Sequence, residues 1–261
     1  MQGSAGLETG TRVGRQTDIF DEFSLKGRVA VVSGGHRGLG LEMALALSEQ
    51  GARPNADFKA VSQHVAALGE DRSLKYVSID VTNQPAVWSR VEEIGDKEGR
   101  MDVCVAAAGI LGGQPCLEYE AQEFEKIISV NTNGVFYTAQ AAGRQMVRFG
   151  NGGSIILIAS MSGSITNRGH DWVGYNTSKS AVLQMARSMA CELGPQRIRV
   201  NSLSPGHIRT KMTSALLDIE PELGAKWANS NPLGRLGRPE ELRGVVSWLS
   251  SDASTFCTGS E

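Results

Sequence analysis

Short runs of uninterrupted apolar residues recur along this chain, and longer segments of helical period lie between them. "GRVAVVSG" is the first such run, and a glycine-rich turn and the helix-like "LGLEMALALSEQ" follow it. "SLKYVSID", "MDVCVAAAG", "GSIILIAS" and "IRVNSLSP" repeat the strand pattern. "AQEFEKIISVNTNGVFYTAQAAGRQMVRF" and "GYNTSKSAVLQMARSMACEL" repeat the helical one. "PEELRGVVSWLSS" begins with Pro239, a residue well suited to the first position of a helix. Strands apolar on both faces, alternating with helices, specify a parallel sheet covered on each side. The expected fold is one doubly wound α/β domain over residues 25–261, behind a flexible leader of residues 1–24.

Composition narrows the function classes. A net charge of -2 gives no electrostatic reason to expect a nucleic acid or an anionic membrane as partner. No apolar run approaches the roughly 20 residues that span a bilayer. The first 24 residues lack the apolar core of a secretory signal, and acidic residues interrupt the weak transit-peptide hint of Arg12 and Arg15. The four cysteines, Cys104, Cys116, Cys191 and Cys257, form no CxxC pair. Buried free thiols are expected at Cys104 and Cys191, which suits a reducing cytosol and a cytoplasmic location. His36, His64, His170 and His207 have no metal-ligand spacing, so no metal is expected.

"SGGHRGLG", residues 33–40, follows the first apolar run and opens a helix. Gly34, Gly38 and Gly40 there permit a tight turn and close backbone approach to a pyrophosphate, whose charge a helix N-terminus favours. Arg37 within the turn suits a 2′-phosphate and so favours NADP(H) over NAD(H). Asp80, at the end of "SLKYVSID", is placed either to meet an adenine edge or to cap the next turn. Tyr175 and Lys179 are four residues apart, on one face of a predicted helix. A tyrosine of ordinary pKa about 10 is a poor base at neutral pH, and a neighbouring ammonium together with an oxidised nicotinamide would stabilise its phenolate.

With these residues in view the sequence resembles the short-chain dehydrogenase/reductase family from about residue 25 onward. "SGGHRGLG", "VNTNG", "GSIILIASMSG", "YNTSK" and "VNSLSPGHIRT" all stand in the family's order. The resemblance implies a Rossmann-type sheet and hydride exchange between carbonyl and alcohol. It makes Tyr175 the acid/base and Lys179 its electrostatic partner and a ribose ligand. Ser160 is implied to bind the substrate oxygen, in preference to Ser162, because Ser160 has the family's spacing to Gly163. Asn131 is implied to support a proton relay through water. Leu39, Val81, Gly109, Pro205, Gly206 and Ile208 join Gly34, Arg37, Gly38, Gly40, Asp80, Tyr175 and Lys179 in the implied cofactor site. A homo-oligomer, dimer or tetramer, is implied through long helices near residues 121–147 and 175–193. As a whole the sequence is most similar to fungal members acting on ketoses and sugar alcohols, such as sorbose or xylulose reductases.

Departures from the family pattern are local. Where the family has N-N-A-G, this chain has "AAAG", Ala106 to Gly109, so bracing hydrogen bonds must come from elsewhere. His170 and Trp172, in "RGHDW", either line the substrate mouth or anchor a packed loop. After Gly51 the family's second strand is expected to be absent: "ARPN" intervenes, and Pro54 cannot donate to a central ladder. From Asp57, a helix cap or a ribose ligand, Phe58, Val61, Val65 and Leu68 follow a helical stripe. The closing strand is also expected to be missing after "SSDASTFCTGSE", as in a shortened form of the family's chain, leaving strand edges unpaired.

The expected activity is that of a carbonyl reductase or alcohol dehydrogenase using NADP(H), with NAD(H) as the alternative cofactor and a small carbonyl or alcohol as substrate. The polar segment "PGHIRTKMTSALLDIEPELGAKWANSNPLGRLGRP" suits a lid that meets a hydroxylated substrate. A 3-oxoacyl or polyketide ketone is the alternative substrate class. A catalytically impaired nucleotide-binding protein, or a structural subunit beside full-length relatives, is the alternative to an enzyme.

Overall fold

The computed structural model describes residues 18–55, 74–210, 213, 214, 217, 219 and 221–261. Most of the leader, the stripe from Asp57 to Leu68 and part of the lid segment lie outside the described residues. A short helical turn α1 (Ile19–Glu22), capped by the Asp18 carboxylate, shows that the leader's last residues have structure of their own. Then follow β1 (Val29–Ser33), α2 (Gly38–Glu49), β2 (Arg53–Asn55), α3 (Gln84–Glu98) and β3 (Val103–Ala106). The single long helix expected over 121–149 is α4 (Ala121–Ile128) and α5 (Gly134–Phe149), joined by a π-helical turn, Ser129–Asn133. β4 (Gly153–Ile158), α6 (Val173–Leu193), β5 (Ile198–Leu203), α7 (Pro221–Asn229) and α8 (Arg243–Ser250) complete the order.

The sheet is parallel, with strand order β2-β1-β3-β4-β5. Alternate residues of each strand face opposite layers, which is why the strands read as wholly apolar. Val29, Val31, Cys104 and Ile155 pack with Val91 of α3, Ala142 of α5 and Val182 of α6. Ala30, Val32, Val105 and Ile156 pack on the other face, with Met43 and Leu47 of α2 and Val246 of α8. No described helix is long and apolar enough to cross a membrane.

Four expectations change. The second strand is present, three residues long, with Val29, Ala30 and Val31 paired to Arg53, Pro54 and Asn55. Arg53 N–H donates to the Arg28 carbonyl at 2.8 Å, so the next residue's nitrogen faces away from β1, toward the edge of the described sheet. Proline costs no ladder bond in that position. Second, Leu74–Asp80 forms no strand beyond one bridge position at Lys75; Leu74, Val77 and Ile79 instead pack into the two cores. Third, the outer edge of β5 is not bare. Gly259 N–H donates to the Val200 carbonyl at 2.7 Å, Ser202 N–H donates to Ser260 at 2.9 Å, and the Asn201 amide donates to the Cys257 carbonyl at 2.9 Å. No strand is assigned to these last residues. Fourth, Cys104 is buried as expected, whereas Cys191 is exposed.

So short a strand needs other anchorage, and Glu98 supplies it. Its side chain, 5% exposed at the end of α3, pairs with Arg53 at 2.9 Å and with Lys75 at 2.6 Å. Removing its charge breaks two pairs made by one buried carboxylate, unlike deletion of an exposed pair such as Arg90–Glu93. Glu98→Gln is expected to lower unfolding stability by about 1–3 kcal/mol and to speed hydrogen exchange at the Arg53 amide. Arg90→Ala should stay within about 0.5 kcal/mol of the parent in the same urea titration.

Candidate active site

The sheet reverses direction of growth between β1 and β3, and a cavity of about 440 Å³ opens at the carboxyl ends of the strands there. Gly34 closes β1 with φ +68°, and a Cβ on it would stand 2.8 Å from the Ala108 backbone. A Cβ on Gly40 would run into the Gly34 carbonyl. The turn therefore folds onto itself only with glycine at both positions. Arg37 precedes α2 in extended conformation and provides no side-chain cap, so the first amides of this 12-residue helix are left for other acceptors. Gly34, Arg37, Gly38, Leu39 and Gly40 all line the cavity.

The Asp80 carboxylate accepts from the Thr82 amide at 2.9 Å and from its hydroxyl at 2.7 Å, which holds its pKa below the usual value. It caps the turn while still lining the cavity beside Val81. Gly109, Ser160, Ser162, Tyr175, Lys179, Pro205, Gly206 and Ile208 line the same space. Asn131 does not line it. It lies fully buried in the π-helical turn, a device that widens one helical turn and redirects its side chains. Its amide oxygen accepts from Ile110 N–H at 2.8 Å; its nitrogen donates to the Ile110 carbonyl at 2.9 Å and to Ser178 Oγ at 3.1 Å. This pair of bonds, together with Ser33 Oγ accepting from Ala108 N–H at 3.4 Å, provides the bracing that "AAAG" lacks.

Ser160 lies two residues beyond β4; its hydroxyl accepts from Ser162 N–H at 3.1 Å and is near enough to the Tyr175 phenol to favour its ionised form. The turn carrying Ser162 and Gly163 can lie this close to α6 because a Cβ at Gly163 would stand only 2.7 Å from the Lys179 carbonyl oxygen. Lys179 donates to the Ile158 carbonyl at 2.8 Å, and its Nζ lies 5.8 Å from the centre of the Tyr175 ring. Burial dominates both groups. It pushes the Tyr175 phenol up, partly offset by Ser160, and pushes Lys179 down to about 8. The lowering of the phenol expected from the ammonium is not found: burial raises it and Ser160 alone offsets that rise.

The substrate end of the cavity is walled by Trp172, His207 and Trp227. His170 stacks on Trp172 with centroids 4.1 Å apart, and Trp172 meets the Tyr175 ring edge-on at 6.1 Å. Trp227 on α7 donates to His170 Nε2 at 3.3 Å and stacks on His207 at 4.1 Å. Trp172 is therefore both mouth and anchor. Trp227 was not legible as a site residue, since one tryptophan in a polar segment carries no periodic signal. His207 had one available signal, its place directly after Pro205 and Gly206.

A doubly wound sheet, a glycine cradle and a serine–tyrosine–lysine group at its switch point define an oxidoreductase of the nucleotide-binding α/β class. Residues 34–261 match the family described as enoyl-(acyl carrier protein) reductase. Sorbose reductase of Schizosaccharomyces pombe is 39% identical, over 92% of this chain and 94% of that one. D-arabinitol 2-dehydrogenase (ribulose-forming) of Scheffersomyces stipitis is 33% identical, over 93% and 94%. The gluconate 5-dehydrogenase of Burkholderia cenocepacia, solved in complex with NADP and tartrate, superposes with a TM-score of 0.85 at 28% identity, over 93% and 95%. The chain belongs to the short-chain dehydrogenase/reductase family and is an enzyme of that family.

Lys179 offers a test of the electrostatics. Its folded pKa lies below its unfolded one, so the unfolded chain binds the extra proton between about pH 8 and 10.5, and stability rises with pH across that window. Lys179→Met removes the buried charge. Without any ligand it should be more stable than the parent below pH 8, by at most about 3 kcal/mol, with the difference fading toward pH 10.5. Thermal melts of both proteins from pH 6 to 10 check the sign.

Proposed function

We propose that this enzyme transfers a hydride between NADP(H) and the carbonyl or secondary-alcohol carbon of a polyhydroxylated substrate, a ketose or its polyol. The observation that carries the reading is one continuous cavity, with the uncapped start of α2 at one end and Ser160, Tyr175 and Lys179 together at the other. Gly34, Gly38, Leu39 and Gly40 would hold the pyrophosphate, Asp80 and Val81 the adenine, and Gly109, Lys179, Pro205, Gly206 and Ile208 the nicotinamide riboside. Arg37, exposed at the cavity rim with no ion pair among the described residues, would take the 2′-phosphate. The NADP-bound gluconate 5-dehydrogenase supports that choice, and the sorbose and arabinitol enzymes support the substrate class.

The nicotinamide ring, when bound, donates or accepts the hydride. In reduction Tyr175 gives its proton to the substrate oxygen, while Ser160 Oγ orients and polarises that oxygen. Lys179 returns the proton to the phenol. Asn131 keeps Ile110 and Ser178, and with them the floor of the site and α6, in register. The impaired-protein reading rested on a missing strand and an open sheet edge. β2 and the bonded edge of β5 remove both supports.

With NADPH and sorbose, Tyr175→Phe is expected to bind NADPH with unchanged fluorescence enhancement while the rate of reduction falls by about 10²–10⁴. Arg37→Ala should weaken NADPH binding about tenfold and leave NADH binding unchanged, since a charged contact is worth about 1.5–3 kcal/mol. Equal losses for the two cofactors would remove Arg37 from the phosphate site. Full activity in Tyr175→Phe would overturn the mechanism.

A further inference from the structure

Among the polar side chains at the substrate end of the cavity, His207 and Ser162 have no side-chain hydrogen bond to a described residue. Of the two, His207 is held against an aromatic wall. Leu111, Met161, Trp172 and Trp227 present apolar surface there. Thr210 and Thr213 also reach the cavity, but they are spent on each other and on the Ile208 carbonyl: Thr213 Oγ1 donates to Ile208 at 2.8 Å and accepts from Thr210 N–H at 2.8 Å. Ser160 and Tyr175 are committed to the reacting oxygen. His207 makes no side-chain hydrogen bond to any described residue, and it lines the same cavity.

Its position is nonetheless fixed. Met161 N–H donates to the Pro205 carbonyl at 3.1 Å and Gly237 N–H to the His207 carbonyl at 2.9 Å, and Ile208 bridges to Gly237, so the loop is clamped on both sides of the residue. The imidazole lies parallel to the Trp227 indole, 5° between planes, and that indole is 3% exposed and tied to His170. Burial and the neighbouring His170 lower the His207 pKa, so the ring is neutral near pH 7, with one N–H donor and one bare nitrogen. A stacked neutral imidazole with both functions unspent among the described residues is matched to a hydroxyl group, which also donates once and accepts once. Ligand pockets are commonly built this way, with apolar walls and a few placed polar groups that fix orientation.

We infer that His207 is a specificity-determining residue that hydrogen-bonds a hydroxyl on the substrate near the reacting carbon, so that hydroxyketones and vicinal polyols are preferred over plain ketones of similar size. The inference rests on the hydride-transfer reading above and adds to it the group that reads the substrate. A site arranged to bond a hydroxyl discriminates strongly against an analogue without one.

His207→Phe keeps a flat ring on Trp227 and removes both nitrogens; His207→Gln restores a donor and an acceptor. With NADPH as reductant, kcat/KM for sorbose should fall about 10–100-fold in His207→Phe and recover in part in His207→Gln, while kcat/KM for 2-butanone changes less than about threefold. A separate titration reads the contact without turnover: sorbitol added to the NADP-loaded protein, followed by tryptophan fluorescence, should show a Kd raised by a similar factor in His207→Phe. Equal falls for sorbose and 2-butanone would make His207 structural, and an unchanged sorbitol Kd would remove the contact; either overturns the inference and leaves hydride transfer standing. A parent protein that reduces neither ketone and does not bind sorbitol overturns the hydride-transfer reading, and this inference with it.

Discussion

The site depends first on how closely two strand ends meet. β1 and β3 are neighbours in the sheet, yet the chain leaves them toward opposite sides: β1 continues to β2 at one edge, and β3 leads toward β4 and β5. Beyond the ladder the two ends stay together. Ala107 N–H donates to the Ser33 carbonyl at 3.3 Å, and the Gly34 backbone lies against Ala108 with no room for a side chain. This contact lets a helix N-terminus and the loop after β3 face each other across one space. Any side chain at Gly34 would push apart the walls that Arg37, Gly109 and Tyr175 share.

A second constraint ties that space to α6, the helix bearing Tyr175 and Lys179. Asn131 satisfies three hydrogen bonds inside the protein, two with Ile110 and one with Ser178. Ser178 in turn donates to the Tyr175 carbonyl at 2.7 Å, one turn earlier on α6. One buried amide thus sets the distance between the loop after β3 and the helix bearing Tyr175 and Lys179. Only a widened turn brings it there, because a regular helix through residues 129–133 would rotate Asn131 to another bearing. Two stretches that read as separate motifs, "VNTNG" and "YNTSK", are parts of a single hydrogen-bonded unit.

What was legible follows from that division of labour. The strands buried on both faces announce themselves by apolar runs; Gly34, Tyr175 and Lys179 stand in patterns whose chemistry dictates their spacing, whereas Ser160 is reached through the family resemblance. β2 was hidden because pairing decides it rather than composition: an outward-facing nitrogen makes Pro54 harmless, and Glu98, some 40 residues later, supplies the anchorage. Leu74–Asp80 misled in the opposite direction. Its alternating pattern fits a strand, but Val77 and Ile79 pack into the core without a ladder. The Trp172–His170–Trp227–His207 series joins two loops and a helix, and although His170 and Trp172 are candidates for the mouth, nothing in local sequence foretells their meeting with Trp227.

The electrostatics of Tyr175 and Lys179 show why burial serves the chemistry although it opposes the charges. Removing water raises the phenol and lowers the amine, so each is driven toward its neutral form. The same loss of water magnifies every charge brought near, since screening falls together with the dielectric. A phenol left to Lys179 alone stays protonated, the state needed to give a proton to a carbonyl oxygen. A second positive charge placed in the cavity acts on that phenol through few intervening waters and favours phenolate, the state needed to take a proton from an alcohol. Burial therefore makes the proton state of Tyr175 responsive to what occupies the cavity, and under the proposed mechanism one constellation would serve both directions of a reversible reaction.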